Sequence, residues 1–180
     1  MKNVLVITGS PRTDGNTFVL ADAFIKGVKE AGNEVMRFDA GLKKINPCQA
    51  CNACFSENRA CIQNDDFNDL APLVEKADVI AFVTPLYWYS FPAQFKAAID
   101  KFYSFIIGAR ALKASGAVLI SCCGDGTEDA FDGMLKSYKM IADYLRLKDL
   151  GHLFVTSATD KGYTKTGTFC KMAEDMGRNI

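Results

Sequence analysis

The sequence predicts an α/β protein in which a parallel sheet of five strands is covered by helices on both faces. Short apolar runs, beginning with Val4 to Ile7, alternate along the chain with segments of helical periodicity. These runs are continuously apolar, as is typical of strands that are buried on both faces. The chain has 180 residues, 49% of them apolar, so we expect one domain, 1–180, with a core of its own.

Each element follows from its own pattern. Strands are predicted at 4–7, 34–39, 78–83, 117–121 and 153–156. Helices are predicted at about 16–31, 67–76, 93–106, 127–147 and 166–176. We expect Asp125 and Glu128 to cap the helix that begins at about Thr127, as in a capping box. The irregular segment 41–66 has no predicted element and carries four cysteines, and long loops of this kind inside compact domains are usually functional.

Composition excludes several classes of function. Lys plus Arg and Asp plus Glu both number 21, so the chain lacks the basic excess typical of nucleic-acid binding. No apolar stretch approaches the roughly 18 residues that a membrane span needs. The apolar run at 1–8 is too short for a signal peptide, so we expect a cytoplasmic protein. In that compartment the seven cysteines indicate metal, redox or packing roles rather than disulfides.

The segment 9–17 is the first candidate binding site. It links the first predicted strand directly to a helix, and ligands of parallel sheets bind beyond the carboxyl ends of the strands. A helix N-terminus with nearby hydroxyl, amide and guanidinium donors suits a phosphate. The alternative is a simple capped turn, because Gly, Pro, Asp and Asn favour turns in any case. The segment lacks the Gly-Lys-Ser/Thr of a Walker A loop and the Gly-x-Gly-x-x-Gly fingerprint.

This loop, Gly-Ser-Pro-Arg-x-x-Gly-Asn-Thr, resembles the FMN phosphate loop of the NAD(P)H-dependent FMN reductases and multimeric flavodoxins. The segments 85–88 (Pro-Leu-Tyr-Trp) and 92–96 (Pro-Ala-Gln-Phe-Lys) are similar to the flavin-ring loop and the following helix of the same family. The resemblance implies a flavodoxin-like three-layer sandwich with strand order 2-1-3-4-5. It also implies FMN as cofactor, with the phosphate held by Ser10, Arg12, Asn16 and Thr17, the ring flanked by Pro85, Leu86, Tyr87 and Trp88, and further contacts from Cys123 and Gly124.

Aromatic residues are concentrated just after the third strand. Trp88, Tyr89 and Phe91 lie too close in sequence for all of them to face one ligand, and 102–107 adds further apolar residues. A helix with so apolar a surface is rarely left uncovered. We therefore expect a homo-oligomer, either a dimer or a tetramer.

Four cysteines form the most distinctive motif. Cys48, Cys51 and Cys54 are separated by two residues each, and Cys61 follows, so four thiolates within 14 residues can surround one metal centre. Two-residue gaps are typical of ferredoxin ligation, whereas zinc sites more often use two separated pairs. The spacing resembles the compact motif of the iron–sulfur flavoproteins, which implies a 4Fe–4S cluster. Three alternatives remain open for this motif. They are an iron–sulfur cluster, a loop of cysteines without metal and, third, a zinc site.

The resemblance implies an enzyme in which FMN carries the chemistry, so no catalytic side chain is predicted. Electrons would pass from NAD(P)H to a small acceptor such as a quinone, a flavin or a nitro compound. Because the sequence predicts no second nucleotide-binding domain, we expect donor and acceptor to use one flavin face in turn, giving ping-pong turnover. The alternatives are an iron–sulfur flavoprotein that exchanges electrons with ferredoxin, a non-catalytic flavodoxin-type carrier, and a flavin-free redox sensor built on the cysteines.

Overall fold

The computed structural model describes residues 1–110 and 112–180 and forms a five-stranded sheet in the order β2-β1-β3-β4-β5. Every neighbouring pair of strands is parallel. The strands are β1 (Asn3–Thr8), β2 (Glu34–Phe38), β3 (Val79–Pro85), β4 (Gly116–Cys122) and β5 (Lys148–Val155). The predicted fold class and strand order are confirmed.

Helices cover both faces of the sheet because strand residues alternate between two cores. In β1, Val4 and Val6 face one core, which includes α1 and α6, while Leu5 and Ile7 face the other, which includes α2 to α5. The helices are α1 (Asn16–Glu30), α2 (Phe67–Lys76), α3 (Ala93–Asp100), α4 (Tyr103–Ile107), α5 (Asp132–Tyr144) and α6 (Phe169–Arg178). None of the helices in the described part of the chain is long and apolar enough to cross a membrane.

The predicted helix 127–147 is wrong at its beginning and at its end. The chain first forms a short 3-10 helix, Glu128–Phe131, and only then enters α5, which ends at Tyr144. The predicted capping box is also wrong. The Asp125 carboxylate instead accepts a hydrogen bond from the backbone N–H of Thr127 (3.1 Å), two residues on, because a short Asp side chain readily closes a turn of its own.

The fifth strand begins at Lys148, earlier than the predicted start at Leu153. It is an edge strand that pairs only with β4, so the first part of it, 148–152, is polar and largely exposed. An apolar-run criterion detects only its buried end. The register between β4 and β5 also shifts between Ala117 and Leu119.

The predicted apolar surface at 102–107 is smaller than expected. The predicted continuous helix breaks into α3 and α4, and Phe102 and Phe105 lie in the core, where they are 2% and 1% exposed. Tyr103, Ile106 and Ile107 stay exposed, at about two-fifths each.

Candidate functional site

A cavity of about 340 Å³ opens at the carboxyl edge of the sheet, where the loops after β1, β3, β4 and β5 meet. The first three of these loops carry the residues that the sequence analysis assigns to FMN binding. The volume lies within the roughly 300–1,000 Å³ typical of small-molecule sites. The lining residues include Ser10, Arg12, Asn16, Thr17, Pro85, Leu86, Tyr87, Cys123, Gly124, Thr159 and Lys161.

The loop from Gly9 to Gly15 is shaped by close backbone contacts. A Cβ on Gly9 would overlap the Thr84 side chain, so only glycine fits beside β3. The Ser10 hydroxyl accepts a hydrogen bond from the backbone N–H of Arg12 (3.1 Å), which closes a tight turn. Gly15 precedes α1 in an extended conformation, and no side chain among the described residues caps this helix N-terminus. The N-terminal residues of α1 therefore line the cavity with no competing cap.

Two of the predicted phosphate contacts have protein partners of their own. The Asn16 amide donates to the carbonyl oxygens of Asp160 (2.8 Å) and Ala158 (3.3 Å), and its Oδ1 accepts from Thr164 (3.3 Å). Asn16 therefore ties the start of α1 to the segment after β5. The Thr17 hydroxyl lies 3.3 Å from the buried Cys122 sulfur, so Thr17 faces β4 as well as the cavity.

The charged groups of the cavity are Arg12, Asp14 and Lys161. Lys161 pairs with Asp14, and the hydrogen bond and charge from Lys161 lower the pKa of this carboxyl. Arg12 is exposed on the same wall and adds a second cation. Two cations and one carboxylate leave a positive balance, which suits an anion.

Lys161 and Thr159 are site residues that the sequence prediction missed. They follow the carboxyl end of β5, so the rule that selected the other three loops applies to them as well. The predicted strand ends at Thr156, close to the observed end at Val155, so the sequence indicates this loop, but its residues are not among those assigned to the site.

The loop after β3 supplies the apolar wall and a strained turn. Pro85, Leu86 and Tyr87 line the cavity. Tyr87 and Ser90 then exchange two backbone hydrogen bonds of 3.0 Å each around Trp88 and Tyr89, whose φ angles are +46° and +61°. Left-handed backbone is costly for large side chains. Trp88 lies outside the cavity wall and is 94% exposed, so its predicted place beside the flavin ring stays a prediction.

The third wall is formed by the end of β4. Cys123 and Gly124 lie on it together with Cys122, and their predicted contact with FMN stays a prediction. Burial raises the pKa of both the Cys122 and the Cys123 thiol, so both are held in the neutral form. Neutral thiols of this kind serve as small apolar packing groups.

The cysteine segment 43–66 contains no helix or strand, yet its ends are firmly held. Asp66 accepts a hydrogen bond from the backbone N–H of Lys44, and Asp65 accepts one from that of Asn46, both at 2.8 Å. The backbone N–H of Cys61 donates to the Asn68 side chain on α2 at 2.9 Å. These contacts join both ends of the segment to the start of α2, which makes it a closed loop on the protein surface.

Inside this loop the backbone turns sharply between the cysteines. Ala50 and Asn52 have φ angles of +51° and +57°, and one of them lies in each two-residue gap of the motif. Phe55 then anchors the loop, because its ring packs 6.2 Å from that of Phe105 and lies beneath the Arg110 guanidinium.

Cys48, Cys51, Cys54 and Cys61 line one recess, which we call the cysteine recess; its other wall includes Lys101 and Ser104. Burial raises the pKa of the Cys54 thiol, and the thiols of Cys61, Cys51 and Cys48 raise it further, as expected when four thiols approach each other. All seven cysteines are free.

The residues fit the two groups that the sequence implies. For FMN, one wall of the cavity carries cations and hydroxyls and another is apolar. For a cluster, all four thiols share one recess, although among residues 1–110 and 112–180 no three ligand-type side chains converge on a single ion position. Zinc at about 2.3 Å from each thiolate needs such convergence. A 4Fe–4S cluster binds each thiolate at a different iron atom, so it does not need the four thiols to converge on a single ion position.

A donor-rich loop before a helix and a cavity beyond the carboxyl ends of parallel strands define the doubly wound, nucleotide-binding class of α/β proteins. Within that class, the chain belongs to the NADPH-dependent FMN reductase family, whose pattern matches residues 2–160. This match confirms the family resemblance predicted from the loop after β1.

The curated relatives that match this chain are named iron-sulfur flavoproteins. An iron-sulfur flavoprotein of Archaeoglobus fulgidus is 38% identical over 95 residues, which cover 53% of this chain and 43% of the relative. An iron-sulfur flavoprotein of Methanocaldococcus jannaschii is 29% identical over 147 residues, which cover 81% of this chain and 76% of the relative. The chain thus spans less than half the length of the first of these relatives.

Solved structures share the fold. An NAD(P)H:quinone oxidoreductase from Methanothermobacter marburgensis superposes with a TM-score of 0.78 and 19% identity over 99% of this chain and 95% of that one. An azoreductase from Bacillus anthracis superposes with a TM-score of 0.70 and 15% identity over the whole of both chains. At these identities the likeness concerns the flavodoxin-like fold alone.

Proposed function

We propose that this protein is an FMN-dependent oxidoreductase that takes electrons from NAD(P)H and passes them to a small acceptor. The observation that carries the proposal is the cavity at the carboxyl edge of the sheet, with cations and hydroxyls on one side and an apolar wall on the other. Membership of the FMN reductase family supports FMN as the ligand. The cytoplasm, expected from the sequence, is the proposed location.

Each wall of the cavity has a role in this proposal. Ser10, Arg12 and Thr17 hold the phosphate, with Lys161 as an additional cation. Asn16 supports them by fixing the segment after β5 against the start of α1. The flavin ring lies beside Pro85, Leu86, Tyr87 and Trp88, with Cys123 and Gly124 opposite.

FMN, when bound, supplies the electron-transfer chemistry, so the protein need only bind, orient and expose it. The partly exposed Tyr87 lies at the mouth of the cavity, where a nicotinamide and then an acceptor could stack in turn. One shared face predicts ping-pong kinetics. Quinones, flavins and nitro compounds are the acceptor classes to be tried.

Steady-state oxidation of NADH and NADPH by the FMN-loaded protein tests the proposal against its nearest rival, a non-catalytic flavodoxin-type carrier. The proposal predicts turnover with at least one nicotinamide and at least one small acceptor. A protein that binds FMN but turns over with neither nicotinamide is a carrier. A protein that binds no flavin points instead to a redox sensor built on the cysteines.

A second candidate function is an iron–sulfur flavoprotein that exchanges single electrons with ferredoxin. The observation that favours it is the cysteine recess, in which all four cysteines of the motif share one wall. The names of the curated relatives support the same proposal. In this version the cysteines hold a 4Fe–4S cluster, which adds one-electron chemistry to that of FMN.

Iron analysis of protein made and purified without oxygen tests the second candidate. It predicts about four iron atoms per chain, lost or reduced when any one of Cys48, Cys51, Cys54 and Cys61 becomes Ser. Cys170→Ser is the matched control, because this partly buried cysteine lies on α6, far from the motif in sequence. Anaerobic protein with full FMN, negligible iron and undiminished NAD(P)H oxidation would leave the first function alone.

A further inference from the structure

The inner wall of the cysteine recess is formed by two polar residues at the junction of α3 and α4. Lys101 follows α3, and Ser104 lies in the first turn of α4. Both residues are only 2% exposed, and both line the recess together with the four cysteines. The sequence does not predict this burial, because Lys and Ser are polar residue types that are mostly exposed.

Ser104 has a buried hydroxyl without a hydrogen-bond partner among the described residues. Its backbone is fully used, since its N–H donates to the Lys101 carbonyl (2.9 Å) and its own carbonyl accepts from Gly108 (2.7 Å). Burying a hydroxyl without a hydrogen-bond partner is energetically costly. Such a group therefore calls for a partner, and the recess is the space that it lines.

Lys101 is held in a buried ion pair. Its ammonium lies 2.5 Å from the carboxylate of Asp65, and the two side chains are 2% and 0% exposed. Asp65 is fixed in turn by the backbone N–H groups of Asn46 (2.8 Å) and Phe67 (3.1 Å). Lys101 lines the recess and Asp65 does not. The cationic member of this buried pair is therefore the one that belongs to the wall of the recess.

A hydrophobic residue at either position would pack at lower cost, since burying a charge is expensive even when it is paired. The same lysine also lies 5.8 Å from the Phe67 ring, within an otherwise apolar region. A buried cation and an unpaired hydroxyl in the wall of a recess that four cysteines also line suit a group that carries negative charge on sulfur.

We propose that Ser104 and Lys101 are positioning residues that tune the reduction potential of the group held by Cys48, Cys51, Cys54 and Cys61. Ser104 donates a hydrogen bond from Oγ to a sulfur atom in the recess, and the Lys101 ammonium offsets the charge. This inference rests on the proposed 4Fe–4S function. In the proposed 4Fe–4S function the group held by the cysteines would be reduced by one electron while reduced FMN would be oxidised by one electron; no bond would form or break, and the added negative charge would be near Ser104 and Lys101.

Both donors favour the state with more negative charge, so they raise the reduction potential. Ser104→Ala should shift the reduction equilibrium about tenfold toward the oxidised state, which is about 59 mV for a one-electron couple. The double variant Lys101→Met with Asp65→Asn removes both charges together, so that no buried charge is left unpaired, and should shift the potential in the same direction.

Anaerobic redox titration, followed by visible absorption and by electron paramagnetic resonance, tests the inference on reconstituted protein. Ser121→Ala is the matched control, since Ser121 on β4 is another buried hydroxyl without a partner among the described residues, and it should leave the potential unchanged. The metal-free Ser104→Ala protein should be as stable as the parent or more stable, because the variant removes an unpaired buried hydroxyl. A purely structural serine would instead give a less stable protein with an unchanged potential.

The outcomes separate the inference from the function on which it rests. Parent protein without iron overturns both. Parent protein with about four irons, together with an unchanged potential in Ser104→Ala and in the double variant, overturns only the role of Ser104 and Lys101. A lower potential in both variants, with normal iron content and no change in Ser121→Ala, supports it.

Discussion

Arg12 and Thr17 lie on the wall of the cavity that faces a phosphate in the proposed function, and the phosphate alone distinguishes FMN from riboflavin. Arg12→Ala should weaken FMN about 10- to 100-fold, because a charged hydrogen bond contributes about 1.5–3 kcal/mol. Thr17→Val keeps the shape of the side chain and should weaken FMN less. Titration of protein fluorescence or flavin fluorescence with each ligand measures both effects.

Riboflavin binding should be nearly unchanged in both variants. Lys139→Ala, at an exposed position on α5, is the control for the loss of a surface cation. Equal weakening of FMN and riboflavin would show that neither residue binds the phosphate.

For individual residues, the sequence predicts which side chains lie at the cavity better than it predicts their hydrogen-bond partners. Ser10, Arg12 and Thr17 lie on the cavity wall, as the loop after β1 predicts. Asn16 is on the same loop, but its amide is engaged by Asp160 and Thr164, which follow β5. Partners so far apart in sequence cannot be read from local composition.

Among the elements, α1 and α6 pack unusually closely. A Cβ on Gly27 would overlap the Glu174 carbonyl oxygen, and one on Gly177 would overlap that of Phe24. Glycine to alanine in a helix normally adds about 1 kcal/mol of stability. Here Gly27→Ala should instead lower the free energy of unfolding by about 1–3 kcal/mol through overpacking, as measured by urea denaturation.

Lys29→Ala, at an exposed position on the same helix, serves as the control and should be neutral or slightly stabilising. If Gly27→Ala raises the free energy of unfolding instead of lowering it, the close approach of α1 and α6 is contradicted.

Asp78 joins the starts of β1 and β3. Its carboxylate accepts from the Asn3 backbone N–H at 2.8 Å and pairs with Lys113 at 3.0 Å, and these contacts lower its pKa. Because the folded pKa lies below the unfolded one, the stabilisation is complete above the unfolded value of about 3.9 and is lost as pH falls through the folded value.

Asp78→Asn should therefore lower the free energy of unfolding by about 1 kcal/mol at pH 7, with a smaller difference from the parent at pH 3. Thermal denaturation across this range measures it. A difference that stays constant with pH would mean that the carboxylate charge is not involved.

The elements also show which local signals are dependable. The strands β1, β3 and β4 lie inside the sheet and are buried on both faces, so their continuous apolar runs identify them. β5 is an edge strand and α3 breaks before α4, so in both places tertiary packing overrides the pattern. The strained turn at Trp88 and Tyr89 has no sequence signature, because such turns usually contain Gly or Asn.

For the whole molecule, exposed aromatic and aliphatic side chains favour assembly. Trp88 is 94% exposed at the tip of its turn, and Tyr103, Ile106 and Ile107 on α4 are exposed as well. We predict a homodimer or homotetramer at micromolar concentration, measured by light scattering. Trp88→Ser should shift the equilibrium toward smaller species, and a parent protein that is already monomeric would refute the prediction.

Anaerobic mixing of the FMN-loaded protein with NADH or NADPH tests the proposed oxidoreductase function most directly. The flavin absorption should bleach with at least one nicotinamide, and a quinone added after the excess nicotinamide is removed should restore it. Each half-reaction should proceed without the other substrate, as ping-pong transfer requires. Protein that binds FMN stoichiometrically yet stays oxidised with both nicotinamides, while a chemical reductant bleaches it, would contradict the proposed function.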